Sequence, residues 1–179
     1  FSILIFEILF VIFPIVNSEK IRKLNNAYEI SMIVRGEGFK IILPNSNLPD
    51  EIIINGNSIS VNPSKNYRLE EDENYITVKW NNQPSLKKMF ANTIDIEYVD
   101  LSNFDSSGID DLSEMFSGCN SLKTVNFANF NAENVKTMEK MFFNCVKLRS
   151  VDLSDLYTPK LKSMDNMFQH CSSLESLDL

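Results

Sequence analysis

The second half of the chain repeats itself with a period of 26 residues. Similar stretches begin at Met89, Met115, Met141 and Met167, which mark repeats 1 to 4, and the last three read MFSGCNSLKTVNF, MFFNCVKLRSVDL and MFQHCSSLESLDL. A period between about 20 and 50 residues indicates a solenoid or a propeller, because a single repeat cannot bury its apolar face alone. A propeller blade needs about 40 residues, so the shorter period favours a solenoid.

The apolar spacing changes within each repeat. After Leu122 the pattern L-x-x-V-x-F is typical of a short strand in a leucine-rich repeat. We therefore predict an α/β leucine-rich-repeat solenoid with short parallel strands near 96–101, 122–127, 148–153 and 174–179. Helices are predicted over 109–119, 135–145 and 161–171. The helix prediction rests on apolar residues that share one face of a 3.6-residue helical turn: Ile109, Leu112, Met115, Phe116 and Cys119.

The runs SLKTVNFANFNAENVKTMEKMFFNC and YVDLSNFDSSGIDDLSEMFSGC resemble the 26-residue unit of BspA-like leucine-rich-repeat surface proteins, L-x-x-L-D-L-S-x-F-D-T-S-x-V-x-x-M-x-x-M-F-x-x-C. The resemblance covers roughly Leu86 to Leu179. The chain departs from the pattern at Pro159, where the family usually has a small polar residue, and at Tyr157, which replaces the aspartate seen at Asp105. The resemblance implies a secreted or surface-attached solenoid that serves adhesion or partner binding and has no catalytic residues.

Residues 1–18 are typical of a secretory signal peptide whose basic n-region is missing. The first sixteen residues are apolar except for Ser2 and Glu7. A membrane-spanning helix needs about 20 apolar residues, and Glu7 and Pro14 interrupt this shorter run, although a retained signal anchor is the alternative. We therefore expect a secreted or cell-surface protein. It would meet the membrane only through a signal anchor or a C-terminal anchor outside this sequence.

Residues 19–85 predict a β-rich N-terminal module. Between Asn26 and Trp80 the sequence is rich in Ile and Val and is interrupted by Gly, Pro and Asn, which favours four to six mainly antiparallel strands and no helix. The pair Asn55-Gly56 is a strong signal for a two-residue hairpin turn. The module is either a cap over the open edge of the first repeat, which a solenoid needs, or a carbohydrate- or protein-binding domain. The two roles are compatible.

The repeats place one cysteine each at the same position: Cys119, Cys145 and Cys171. Their spacing is unlike that of a zinc site. Stacked repeats would align them in a column of buried, structural thiols, since free cysteine behaves as a small hydrophobe. A disulfide between neighbouring repeats is the alternative, although parallel Cβ vectors do not favour it.

Polar residues alternate with apolar ones in the predicted strands, which should place them on the concave sheet face. In register they could bind a protein or glycan ligand at a cell surface, and the alternative is an ordinary solvated sheet face. The predicted contacts form two columns: Tyr98, Thr124, Ser150 and Ser176, and Asp100, Asn126, Asp152 and Asp178.

The charge balance argues against nucleic acid as a partner, because 17 basic residues face 24 acidic ones and the net charge is -7. The single histidine, His170, follows no arrangement typical of catalysis, and the five glycines form no phosphate loop. We expect no catalytic residue, no metal and no cofactor. The predicted function is a protein-protein interaction or adhesion module. The alternative is the recognition ectodomain of a larger membrane receptor or enzyme whose effector part lies beyond residue 179.

The repeat pattern stops inside the last predicted strand. We therefore expect residues 86–179 to be the C-terminally truncated part of a longer array. A fragment of residues 19–179 should then associate through its uncovered final strand, because an open sheet edge pairs readily.

Overall fold

The computed structural model describes residues 28–178, so the signal peptide predicted at residues 1–18 lies outside the described part of the chain. Within that part no helix is long and apolar enough to cross a membrane. Ten strands form the regular structure of the described residues: β1 (Tyr28–Arg35), β2 (Gly38–Ile41), β3 (Glu51–Ile54), β4 (Asn57–Ile59), β5 (Asn66–Leu69), β6 (Glu73–Trp80), β7 (Ile96–Asp100), β8 (Thr124–Asn126), β9 (Ser150–Asp152) and β10 (Ser176–Asp178).

One mixed sheet joins the N-terminal module to the repeats. Its strand order is β4-β3-β6-β1-β7-β8. Strand β1 lies between β6 and β7 and is antiparallel to both, whereas β7 and β8 are parallel. Strands β9 and β10 form a separate parallel pair, and β2 and β5 an antiparallel pair. The first strand of the repeats is therefore hydrogen-bonded directly to the N-terminal module.

The sheet has one buried face, because side chains alternate between the two faces of a strand. Strands β1 and β6 bury every second residue. Between β3 and β4, Asn55 and Gly56 both have positive φ (49° and 80°), as a two-residue hairpin turn of the primed type requires. The buried face of the two central strands consists of one polar residue, Asn74, and six apolar ones: Ile30, Met32, Val34, Ile76, Val78 and Trp80.

The predicted α/β leucine-rich-repeat solenoid is wrong, because the described residues contain no helix. The segments predicted as helices over 109–119, 135–145 and 161–171 are successions of tight turns. A helix is excluded there because two positions of every repeat have a left-handed backbone. These positions, with φ between 53° and 76°, are Lys88, Asn92, Glu114, Gly118, Lys140, Asn144, Asn166 and His170.

Backbone amides in these turns alternate between two kinds of acceptor. Around Met141, the amide of Phe143 donates to the carbonyl of Lys140, three residues earlier, at 3.0 Å. The amides of Lys140 and Phe142 instead donate to carbonyls of the equivalent turns around Met167, one period later. Their acceptors are Asp165 at 2.9 Å and Met167 at 3.0 Å. The bonds between repeats replace the axial ladder of a helix, so polar backbone groups remain paired without one.

A row of stacked phenylalanines forms the core of the repeats. The rings of Phe90, Phe116, Phe142 and Phe168 stack in sequence, with centroids 5.3 to 5.4 Å apart and planes within 8° of parallel. The first three are fully buried, and Phe168 is partly buried. Successive repeats therefore lie side by side in register, and each covers the aromatic ring of the one before it.

The left-handed backbone at Lys140 has a measurable consequence. Glycine adopts positive φ without the steric cost that other residues incur. We expect Lys140→Gly to leave stability unchanged or to raise it by up to about 1 kcal/mol. Glu139→Gly, at the neighbouring exposed position where φ is not positive, should lower it by about 0.5–1 kcal/mol. Urea denaturation of both variants measures the difference. An equal loss in both would indicate a helix.

Candidate functional site

The residues predicted to face a ligand lie side by side in the sheets. Tyr98 and Asp100 of β7 pair with Thr124 and Asn126 of β8. Strands β9 and β10 repeat the arrangement, with Ser150 opposite Ser176 and Asp152 opposite Asp178. A hydrogen bond connects the segments just before β8 and β9, where the amide of Arg149 donates to the carbonyl of Lys123 at 3.1 Å.

The same sheet face extends onto the N-terminal module, which the sequence did not reveal, and its nearest strands there are β1 and β6. Ser31 of β1 lies opposite Asp100, and Ile33 lies opposite Tyr98. On the other side of β1, these two residues pair with Thr77 and Tyr75 of β6. We call this surface the open face, and its residues, all half-buried or exposed, are Tyr75, Thr77, Ser31, Ile33, Tyr98, Asp100, Thr124 and Asn126.

One row of the open face consists of hydrogen-bonding side chains. The Ser31 and Thr77 hydroxyl oxygens are 3.0 Å apart, and the Asn126 amide donates to the Asp100 carboxylate at 3.0 Å. Because these four side chains come from four adjacent strands, the row runs across the sheet. We call it the hydroxyl-amide row.

A parallel row carries two tyrosines, Tyr75 and Tyr98, on either side of Ile33. Tyr75 is 46% exposed. Its hydroxyl donates to the Glu73 carboxylate, and this bond is the main reason that the pKa of Tyr75 is raised. Burial and the nearby Asp100 charge raise the pKa of Tyr98. Both side chains are therefore neutral phenols at physiological pH, and we call this the tyrosine row.

The cations that flank these rows are paired with carboxylates. Arg35 bonds to Glu73 at 2.6 Å and to Glu97 at 2.9 Å, and Lys123 reaches the same oxygen of Glu97 at 2.9 Å. Lys79, at the other end of β6, lies 3.2 Å from Glu51.

The Glu97 carboxylate ties three strands together. Its side chain is 15% exposed. Burial alone would raise the pKa of Glu97, but hydrogen bonds from Lys123 and Arg35 outweigh it and hold the pKa below its ordinary value. Arg35 lies in β1, Glu97 in β7 and Lys123 directly before β8. The cluster therefore joins the N-terminal module to repeats 1 and 2.

The three cysteines are free thiols in equivalent positions. Cys119 and Cys145 are fully buried and Cys171 is half-buried. Each thiol donates to the carbonyl of a phenylalanine in the preceding repeat, at 3.0 to 3.1 Å. At the equivalent position of repeat 1, the buried hydroxyl of Thr93 has no hydrogen-bond partner among the described residues.

Burial makes these thiols poor nucleophiles. It raises the pKa of Cys119 to about 12 and raises the pKa of Cys145 and Cys171 as well. The thiolate is the reactive species. We therefore expect a thiol-specific reagent at mildly alkaline pH to modify Cys171 first in the folded protein, and Cys119 and Cys145 only after unfolding. Mass spectrometry of timed samples, with denatured protein as the control, measures this order. Early modification of Cys145 would contradict it.

The other residues considered for catalysis or metal binding do not come together at one site in the described part of the chain. His170, with a positive φ, packs edge-on against Phe143 with ring centroids 5.4 Å apart. Within residues 28–178 no group of three or more His, Cys, Asp or Glu side chains could hold a metal ion.

Comparison with known proteins identifies the family of the repeats. The family described as "Mycoplasma protein of unknown function, DUF285" matches residues 84–178, which is more than half of the chain. The chain belongs to the DUF285 family. DUF285 is a family of Mycoplasma surface repeats. No curated protein and no solved structure matches the DUF285 chain.

The assignment to BspA-like leucine-rich-repeat proteins is therefore wrong. DUF285 is the family that matches, and no BspA or leucine-rich-repeat family does. The residues that carried the resemblance, roughly Leu86 to Leu179, are nearly the same as those that match DUF285, 84–178. The open face extends beyond the residues that match the family, because β1 and β6 precede residue 84.

Proposed function

We propose that this DUF285 protein is a non-catalytic binding module, secreted or displayed at a cell surface, that attaches to its partner through the open face. The observation that carries the proposal is the continuity of that face across β6, β1, β7 and β8. Its side chains are half-buried or exposed, while the opposite face of β1 and β6 is fully packed. A broad, rigid face with hydrogen-bonding side chains is suited to recognition.

Two further observations support the proposal. The thiols, which would be the strongest nucleophiles in the described residues, are held protonated by burial and serve the packing of the repeats. The family match to surface repeats favours an exported location. Partner binding requires neither a nucleophile nor a cofactor, so the geometry of the sheet is sufficient for it.

A protein and glycan array probed with the full chain tests the proposal. Thr124 of the open face is half-buried, so Thr124→Arg adds bulk and charge to that face without filling the core. We expect it to abolish binding to the captured partner. The matched control is Thr137→Arg, which alters a half-buried threonine in a turn segment outside the open face and should bind normally. Circular dichroism establishes that both variants are folded. Undiminished binding by Thr124→Arg would refute the proposal.

A further inference from the structure

We propose that the open face binds an extended, neutral, polyhydroxylated glycan chain that lies across the strands. This inference rests on the proposed function and names the chemical class of its ligand. It follows from three properties of the open face: the spacing of its aromatic rings, the chemistry of the neighbouring row, and the pairing of the charges around it.

The tyrosine row is suited to sugar rings. Tyr75 of β6 and Tyr98 of β7 are separated by one strand, and Ile33 of β1 lies between them. Neighbouring strands are about 4.8 Å apart, so the two backbone positions are roughly 10 Å apart. Pyranose rings present flat C–H faces that pack against aromatic rings. The row therefore offers two stacking positions, with an aliphatic side chain between them, along one line across the sheet.

The hydroxyl-amide row supplies hydrogen bonds beside the stacking positions. The hydroxyls of Ser31 and Thr77 can both donate and accept, and the Asp100 carboxylate can accept several hydrogen bonds. Asp100 already accepts bonds from the Asn126 side chain and from the Ser102 amide. Both bonds go to Oδ1, and they fix the orientation of the carboxylate. Sugar hydroxyls, each a donor and an acceptor, match such a row.

The charges around the open face favour a neutral ligand. Arg35, Lys79 and Lys123 are each within 3.2 Å of a carboxylate oxygen, so they are already engaged in ion pairs. A sulfated or carboxylated glycan would have to compete with those carboxylates and would lie beside Asp100. Protein partners, by contrast, commonly need an apolar interface core. The aliphatic side chains on this side of the sheet are few, Ile33 within the open face and Ile53 of β3 beside Thr77. The observations therefore favour a neutral glycan over a protein.

The probes are four neutral hexasaccharides, and each is titrated calorimetrically into the full chain. They are cellohexaose, chitohexaose, laminarihexaose and mannohexaose. We expect at least one to bind, and Tyr75→Ala and Tyr98→Ala each to weaken that binding about tenfold. Tyr98→Phe keeps the ring and should retain most of the affinity. This variant still tests position 98 if Tyr98→Ala does not fold. The matched control is Tyr157→Ala, because Tyr157 is 72% exposed and lies outside the open face.

Three outcomes would overturn the inference. The first is that none of the four probes binds the folded chain. The second is that Tyr157→Ala loses as much affinity as Tyr75→Ala. The third is preferential binding of an anionic chain such as heparin. A protein partner that is lost in Thr124→Arg, together with no binding of the hexasaccharides, would remove this inference and leave the proposed function standing. Undiminished partner binding by Thr124→Arg would remove the proposed function itself.

Discussion

Replacing Phe142 with alanine is expected to lower the free energy of unfolding by about 3–5 kcal/mol. The ring is fully buried and lies between those of Phe116 and Phe168, with both centroid distances at 5.4 Å. Its removal leaves a cavity between two repeats, and the neighbouring rings lose a stacking partner. The rigid hydrogen bonds between repeats limit how far the cavity can close. Urea denaturation monitored by circular dichroism measures the loss.

The adjacent residue provides the control. Phe143 is half-exposed and contacts the ring of His170, so Phe143→Ala should cost about 1 kcal/mol or less. A similar cost for both variants would show that the stacked column contributes no more than a surface contact.

Replacing Glu97 with glutamine is expected to lower the free energy of unfolding by about 1–3 kcal/mol, because Arg35 and Lys123 would then donate to a neutral amide oxygen instead of a carboxylate. The lower part of that range is favoured because the two cations are 40% and 44% exposed, and solvent screens their charges. Glu133→Gln, at an exposed position, is the control and should be neutral. Chemical denaturation at neutral pH gives both values.

The same variant should change how stability depends on pH. In the folded chain the pKa of Glu97 lies below its ordinary value of 4.5. Its ionised form therefore stabilises the fold above that value, and the contribution is lost as pH falls through the lower, folded pKa. Below pH 4.5 we expect the wild type to lose stability more steeply than Glu97→Gln. Parallel pH profiles for the two proteins would rule out the role assigned to Glu97.

The spacing of apolar residues alone could not distinguish a helix from a succession of tight turns. Consecutive turns closed by hydrogen bonds between residues three apart place apolar side chains on one side, much as a helix does. A better signal was present in the column Asn92, Gly118, Asn144 and His170, because these residue types adopt positive φ most readily. The other left-handed column includes Lys88, Glu114 and Lys140, whose residue types give no such indication.

The open face was only partly visible in the sequence. The repeat period placed Tyr98, Asp100, Thr124 and Asn126 in columns, and the strands contain them in register. The extension onto β1 and β6 depends on pairing between segments far apart in sequence, such as Ser31 with Asp100. Alternating side chains identify a strand and its two faces, but they do not identify its neighbour. For the same reason, the contact of Arg35 with Glu97 could not be foreseen.

Hydrogen bonds of one kind join each repeat to the next, and one ring of each repeat stacks on its successor. A recombination event that duplicates or deletes one whole 26-residue unit in frame would therefore recreate contacts of the same type at the new junction. An insertion of any other length would displace the left-handed positions from their columns and break both patterns. Selection can thus change the number of repeats in such a protein while every junction keeps the same type of contact.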